Sequence, residues 1–516
     1  MRSNWYSSAI VASSLLFVAI SAADDNQITS EMTVKVRIAD GESLVPFTTQ
    51  FGATAVAESG PVAVPAGASK ITLVRAESPI LRYHLIAKTF LPYESLAQNE
   101  FIQSVKAAGY DPQIIVQGRE FRTESNSVVD NRMFLVSIAR CASQADAERM
   151  KKSLEQQQHW CYIVSEVVKP GAGTIKIDGA GTFDLPVALI ADHPVELVRV
   201  NTGYWKENRN NQKYTGTIDL EIGPDGKLMV IETVSLESYL LGVLPAEMPH
   251  EWPLEALKAQ AIAARSEVLA NVAGKHALDG YDFCGTEHCR AYLGSANGKP
   301  RTDRALDETR GGFLVRDGRI VTTVFSATCG GWTENNDSVW SGRAQPALRG
   351  IADAPLAASL TSPREMGVWK WLDAKSNAYC KGDSEYFRWR RSFTQTELTA
   401  IVNKSLGVGR VQSIEMGKRG VSGRLESVKV VGASATRSIQ KELNIRRTFG
   451  GLPSALFVVS NSKNKSGETV FTFIGAGRGH GVGLCQNGAR GMADAGIAAD
   501  EIVTHYFVGA AIERYK

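Results

Sequence analysis

Between residues 30 and 78 apolar and polar positions alternate (Met32, Val34, Val36, Ile38, then Ile71, Leu73, Val74), with glycine and proline between them. That period of two predicts short strands, a small β-rich region over residues 24–80. From residue 81 the pattern changes. RYHLIAKTF reads as a strand, SLAQNEFIQSVKAAG as a helix and PQIIVQGREF as a strand; MFLVSIARC, SQADAERMKKSLEQQQ and CYIVSEV repeat the order. Two βαβ units in residues 81–168 predict a ferredoxin-like βαββαβ domain. Its second helix has Ser143 as N-cap with Asp146 three residues on, and Ala145, Met150 and Leu154 are expected to face the sheet. The strand ending at Cys141 and the strand following Cys161 would run in the same direction, which argues against a disulfide between them.

After the glycine-rich hinge PGAGTIKIDGAG (170–181) strands resume, and the PDG turn inside TGTIDLEIGPDGKLMVIETV marks a hairpin. The segment 234–274 then opens with a short helix, expected to break at Pro245. It restarts at Trp252–Pro253 as one alanine-rich helix running to Gly274. Leu254, Leu257, Ala261, Ala264 and Val268 share one face, Lys258 and Arg265 one flank, and Gln260 and Glu267 the other. With alanines on the remaining face, the helix should be packed nearly all round, its polar residues pointing at a partner.

The chain has 516 residues, 44% hydrophobic and 22% charged, a composition of folded protein. A net charge of +3 gives no reason to expect nucleic acid or an anionic membrane as partner. Residues 1–23 combine Arg2, an apolar stretch from Ala9 to Ile20 and the small residues Ser21, Ala22 and Ala23, the pattern of a secretory signal peptide. The expected product is exported and periplasmic, with no later membrane span. Seven cysteines in an oxidising compartment cannot all pair within one chain. His276, Cys284, His288 and Cys289 have the ligand types of a tetrahedral zinc site, although the adjacent His288 and Cys289 demand a tight turn. Zinc, a Cys284–Cys289 disulfide and free thiols all remain open on the sequence.

The strand followed by SQADAERMKKSLEQQ resembles the SPOR domain, a peptidoglycan-binding module, over residues 81–168. A longer and more specific resemblance covers 190–516. LESYLLGVLPAEMPHEWPLEALKAQAIAARS is followed in order by DFCGTEHCRAYLG, TRGGFLVRDGRIVTTVFSATCGGWTENNDSVW, WRRSFTQTEL and GAGRGHGVGLCQNGARGMADAG. This succession resembles the SpoIID/LytB (stage II sporulation protein D) family of exported peptidoglycan lytic transglycosylases.

The resemblance implies cleavage of the β-1,4 bond between N-acetylmuramic acid and N-acetylglucosamine without water, leaving 1,6-anhydromuramyl ends. Hydrolytic glycosidases use two carboxylates. Here the sugar's own 6-hydroxyl attacks, so one carboxyl suffices, and Glu247, set between Pro245 and Pro249, fits as acid and then base. By the same carry-over Lys258, Gln260 and Arg265 would bind sugar, Tyr292 would stack on a pyranose face, and His480 and Gln486 would line the groove. A zinc ion would shape that groove. The glycine run 475–484 lacks the order of a phosphate-binding loop and should instead approach something closely. Cys329, where the family usually has serine, and Asn487, where an aromatic is frequent, depart from the pattern.

The expected architecture is α+β, a mixed β platform carrying a long active-site helix and preceded by the ferredoxin-like domain. Two other readings compete with the enzyme. One is a non-catalytic peptidoglycan binder that enhances or recruits an N-acetylmuramoyl-L-alanine amidase. The other is a zinc hydrolase of wall peptides, against which the adjacent His288–Cys289 speaks.

Overall fold

Strands distant in sequence build one β platform. The computed structural model describes residues 32–201, 207–286, 288–355, 361–383 and 385–515; the expected signal peptide lies outside them. Thr33–Glu42 pairs antiparallel with Leu228–Ser235, placing Val34 opposite Val234 and Arg37 opposite Ile231. Its other edge pairs parallel with the two-residue strand Phe283–Cys284. Leu44–Thr49 and Gly67–Glu77 lie in a second sheet with Ala172–Ile177 and Val195–Asn201. The alternating side chains of both sheets, among them Val34, Val36, Phe47, Ile71, Ile175, Leu197 and Leu220, meet in one core. Of the strands expected to form a region of their own over 24–80, Thr33–Glu42, Leu44–Thr49, Ala53–Ala57 and Gly67–Glu77 each pair with a strand from 172–235 and so belong to this platform. The hairpin at PDG forms as expected, between Thr217–Ile222 and Leu228–Ser235.

The segment Ile80–Lys169 is inserted between two paired strands of the second sheet. Its four strands lie in the order Tyr162–Lys169, Ile80–Phe90, Met133–Cys141, Gln113–Gln117, all antiparallel to their neighbours. Helices α1 (Ser95–Ala107) and α2 (Gln144–Gln156) share a small core with one face of this sheet, through Leu85, Val105, Ile138, Ala147 and Leu154. Ser143 caps α2, accepting the Asp146 N–H at 3.2 Å. The buried positions of α2 are Ala147 and Leu154, whereas Ala145 and Met150 are exposed. Leu154 thus faces the sheet as expected, joined one i, i+7 step away by Ala147 in place of Ala145 and Met150.

Helix α3 (Leu236–Glu247) keeps Pro245 within its last turn rather than ending there, and Glu247 is its final residue. Ser235 caps it. Helix α4 (Leu254–Asn271) begins after Pro253 and is buried along most of its length, from Ala256 to Leu269. Around it pack α3, α5 (Pro300–Glu308), the strand Gly312–Arg316 and the two C-terminal helices Gln486–Asp494 and Ala499–Tyr506. The returning strand Ala511–Arg514 pairs with Gly312–Arg316. Residues 389–473, expected to belong to a single catalytic unit, have a core of their own around Trp389, Phe449, Phe457, Phe471 and Phe473. The structure is α+β, and no described helix is long and apolar enough to cross a membrane.

Candidate functional site

Glu247 sits where three separated segments converge. As the last residue of α3 it is partly buried. Its carboxylate Oε1 accepts the Ala291 N–H at 3.2 Å, and its main-chain carbonyl accepts the side-chain amide of Gln486 at 2.8 Å. A helix end leaves its last carbonyls without intrahelical donors. Gln486, arriving from the glycine-rich segment, satisfies one of them and fixes the height of the glutamate. Beneath the site the Arg290 guanidinium is buried, 4.4 Å over the Phe283 ring, and ion-paired with Glu267. Its charge interacts with Glu247 as well.

The segment leading to Ala291 is the cysteine–histidine cluster. Cys284 ends the short parallel strand, and a tight turn in which Cys289 and Arg290 both donate to the Thr286 carbonyl brings His288 and Cys289 back. The sulfurs of Cys284 and Cys289 stand 3.2 Å apart, well beyond the roughly 2.05 Å of a bonded pair. Cys284 Sγ is 3.3 Å from His288 Nδ1, and all four donor atoms of His276, Cys284, His288 and Cys289 lie within 4.8 Å of one another. The Cys289 thiol, followed by His276, Thr286 and His288, holds the Cys284 thiol far below its usual range. His276 has its Nδ1 on Asp279 at 3.1 Å and its buried Nε2 without a hydrogen-bond partner. An oriented histidine whose second nitrogen is left for an ion is what a metal ligand needs. The four residues fit a closed metal site.

The inserted four-stranded domain reaches this cluster. Ser165 donates to Asp279 at 3.2 Å, and Leu278 packs among Ile86, Ile115 and Leu135 on the sheet face opposite α1 and α2. The Gly118 N–H donates to the Ala273 carbonyl at 2.7 Å, and Asn131 exchanges hydrogen bonds with Ile320.

Of the other residues expected to touch sugar, Arg265, Gln260 and Tyr292 are buried within the fold, whereas Lys258 and His480 are partly exposed. Arg265 is fully buried; it grips Glu237 with two bonds, at 2.8 and 2.9 Å, and donates to the Gly312 and Leu306 carbonyls. Its donors are committed within the core. Lys258 is paired with Glu255 at 2.9 Å and Glu308 at 3.3 Å. Gln260 is fully buried, its amide without a hydrogen-bond partner among the described residues. Tyr292 is no stacking surface: it is buried against Tyr214 and Tyr239 and donates to Glu232 Oε2 at 2.5 Å. His480 lies 4.9 Å from the ring of Trp340, and its Nδ1 accepts the Val482 N–H at 3.0 Å. Desolvation, with the nearby Arg424 second, pushes its pKa down to about 3, so the ring is neutral.

The glycines of 475–484 do approach something closely, and it is the chain itself. Gly477 has φ +79°, and a Cβ there would meet the Thr328 carbonyl at 2.7 Å. Leu484–Cys485 pairs parallel with Phe325–Ser326. Sequence reasoning missed Glu334, which is fully buried and accepts from Ser422 Oγ at 2.6 Å and from the N–H groups of Val421, Ser422 and Asn335. It ties the segment around 334 to the 421–422 turn.

Residues 224–315 match the family described as stage II sporulation protein, and 334–483 match a domain of unknown function. The stage II sporulation protein D of Bacillus subtilis is 30% identical over 297 residues, covering 55% of this chain and 75% of that one. The chain belongs to the stage II sporulation protein D family. An uncharacterised relative from Brachyspira hyodysenteriae is 30% identical over 308 residues, 60% of this chain and 74% of its own. The amidase enhancer of Bacillus subtilis is 27% identical over 305 residues, and the match spans 40% of that longer protein. The family match takes in α3, α4 and the cysteine–histidine turn, which are the parts that surround Glu247.

Proposed function

We propose that the protein is an exported, periplasmic peptidoglycan lytic transglycosylase with Glu247 as its acid and base. Glu247 protonates the glycosidic oxygen between N-acetylmuramic acid and N-acetylglucosamine, and the carboxylate so formed takes the proton of the muramyl 6-hydroxyl as that oxygen closes on C1. One carboxyl moves one proton each way, and no water is consumed. The observation that carries this reading is the convergence on Glu247 of the Ala291 N–H and the Gln486 amide, from two segments remote from each other in sequence. Such bracing holds a general acid in one position relative to a bound sugar.

The four ligands His276, Cys284, His288 and Cys289 suit zinc. A bound zinc would neutralise the thiolates and fix the turn that delivers the Ala291 N–H. Read as a ferredoxin-like, SPOR-like module, the inserted domain would bring the enzyme to glycan. Because Leu278 and Asp279 cover part of its sheet, glycan would engage its helices or edges. A relative named amidase enhancer supports a second reading, a wall-binding partner of an amidase.

Peptide-free glycan strands incubated with the mature protein, followed by mass spectrometry of the sugar ends, test the choice. Anhydromuramyl ends are expected; reducing ends would indicate a hydrolase, and strand binding without new ends would favour the amidase partner.

A further inference from the structure

Three cysteines that the sequence scatters come together in the core. Cys329, Cys380 and Cys485 are fully buried, and with the carboxylate of Asp353 their donor atoms all lie within 4.8 Å of one another. The sulfurs of Cys329 and Cys380 are 3.7 Å apart, too far for a bond but close enough for two ligands of one ion.

The surroundings are those of a metal-bound thiolate group. The Cys329 N–H donates to Cys485 Sγ at 3.1 Å, the Gly331 N–H to Cys329 Sγ at 3.4 Å, and the Gly488 N–H to Cys485 Sγ at 3.3 Å. Cys485 caps the helix Gln486–Asp494, whose N-terminal dipole also favours a thiolate. Asp353 accepts the Tyr506 hydroxyl at 2.5 Å on one oxygen and the Cys380 N–H at 3.0 Å on the other. Each oxygen accepts one hydrogen bond, and among the described residues no cationic side chain pairs with the group. A bound cation would favour the ionised carboxylate that burial at 0% exposure otherwise opposes.

We propose that Cys329, Cys380, Cys485 and Asp353 form a second, structural zinc site, tetrahedral and closed, separate from the cysteine–histidine cluster. Three thiolates with one oxygen match zinc rather than calcium or magnesium, which take oxygen ligands. Binding displaces the three thiol protons and changes no oxidation state. The site ties together the segment 326–329, the Tyr379–Gly382 turn and the start of the helix that carries Gln486. Its bearing on catalysis rests on the reading of Glu247 as the acid; the site itself does not.

The full mature protein, exported and purified without chelator or reductant, is measured for zinc per chain, as wild type and as the Cys284→Ser/Cys289→Ser variant. One zinc per chain is expected to survive in that variant and to be lost when Cys485→Ser is added. Should the triple variant fail to fold, cobalt(II) replacing the zinc of the double variant gives the test: thiolate-to-metal charge transfer of three-sulfur intensity is expected. A double variant without zinc, or wild-type peptides in which Cys329 and Cys380 are joined as a disulfide, would overturn the proposal. Absence of glycan cleavage by the wild-type protein, with its zinc count intact, would leave the site standing and count only against the reading of Glu247.

Discussion

The end of α3 and the body of α4 come from one continuous motif, yet the structure treats their polar residues in opposite ways. Glu247 closes α3 partly exposed, with the Ala291 N–H on its carboxylate and the Gln486 amide on its carbonyl. Arg265 and Gln260 on α4 have no exposure, and Lys258 is locked between two glutamates. Charge and hydrogen-bonding capacity in a motif therefore do not mark a binding surface. What separates the two regions is exposure: solvent reaches Glu247 but not Arg265 or Gln260.

Arg265→Met should break this comparison on the fold side with the largest effect. It leaves Glu237 buried with the Tyr515 hydroxyl as its remaining hydrogen-bond partner among the described residues, and denaturant unfolding should report a loss of about 3–5 kcal/mol, with activity per folded molecule retained. His480 gives a pH signature. Its folded pKa of about 3 lies below the ordinary value, so above pH 6.5 the ring is neutral in both states and contributes nothing to pH dependence. As pH falls from about 6.5 toward 3 the unfolded chain takes up a proton that the fold refuses. Stability should then fall by at most about 1.4 kcal/mol per pH unit, and His480→Gln should flatten that slope in thermal melts across pH. Gln486→Ala removes one hydrogen bond, about 1 kcal/mol, and should lower kcat about fivefold with little change in Tm. Lys258→Ala breaks a partly exposed ion-pair cluster and should shift stability by about 1 kcal/mol or less, leaving cleavage unchanged.

Legibility in the sequence followed the range of the interactions. Strand and helix periods of the inserted domain, and the Ser143 cap, are local, and the elements stand close to where the pattern puts them. The platform was only half legible, since alternation marks a strand but does not say that Thr33–Glu42 pairs with Leu228–Ser235. The fate of Arg265 was hidden because its partner Glu237 lies 28 positions away on another helix. Cys329 is 51 positions from Cys380 and 156 from Cys485, a separation at which spacing carries no metal signature, and only the fold brings the three together.

The central claim, that Glu247 alone carries the proton transfers, is tested most directly by Glu247→Gln. The exchange keeps size and hydrogen-bonding shape and removes the acid. Anhydromuramyl ends released from peptide-free glycan strands should fall by about 10²–10⁴-fold while the Tm stays within a degree or two of wild type. Ends released at the wild-type rate would contradict the account.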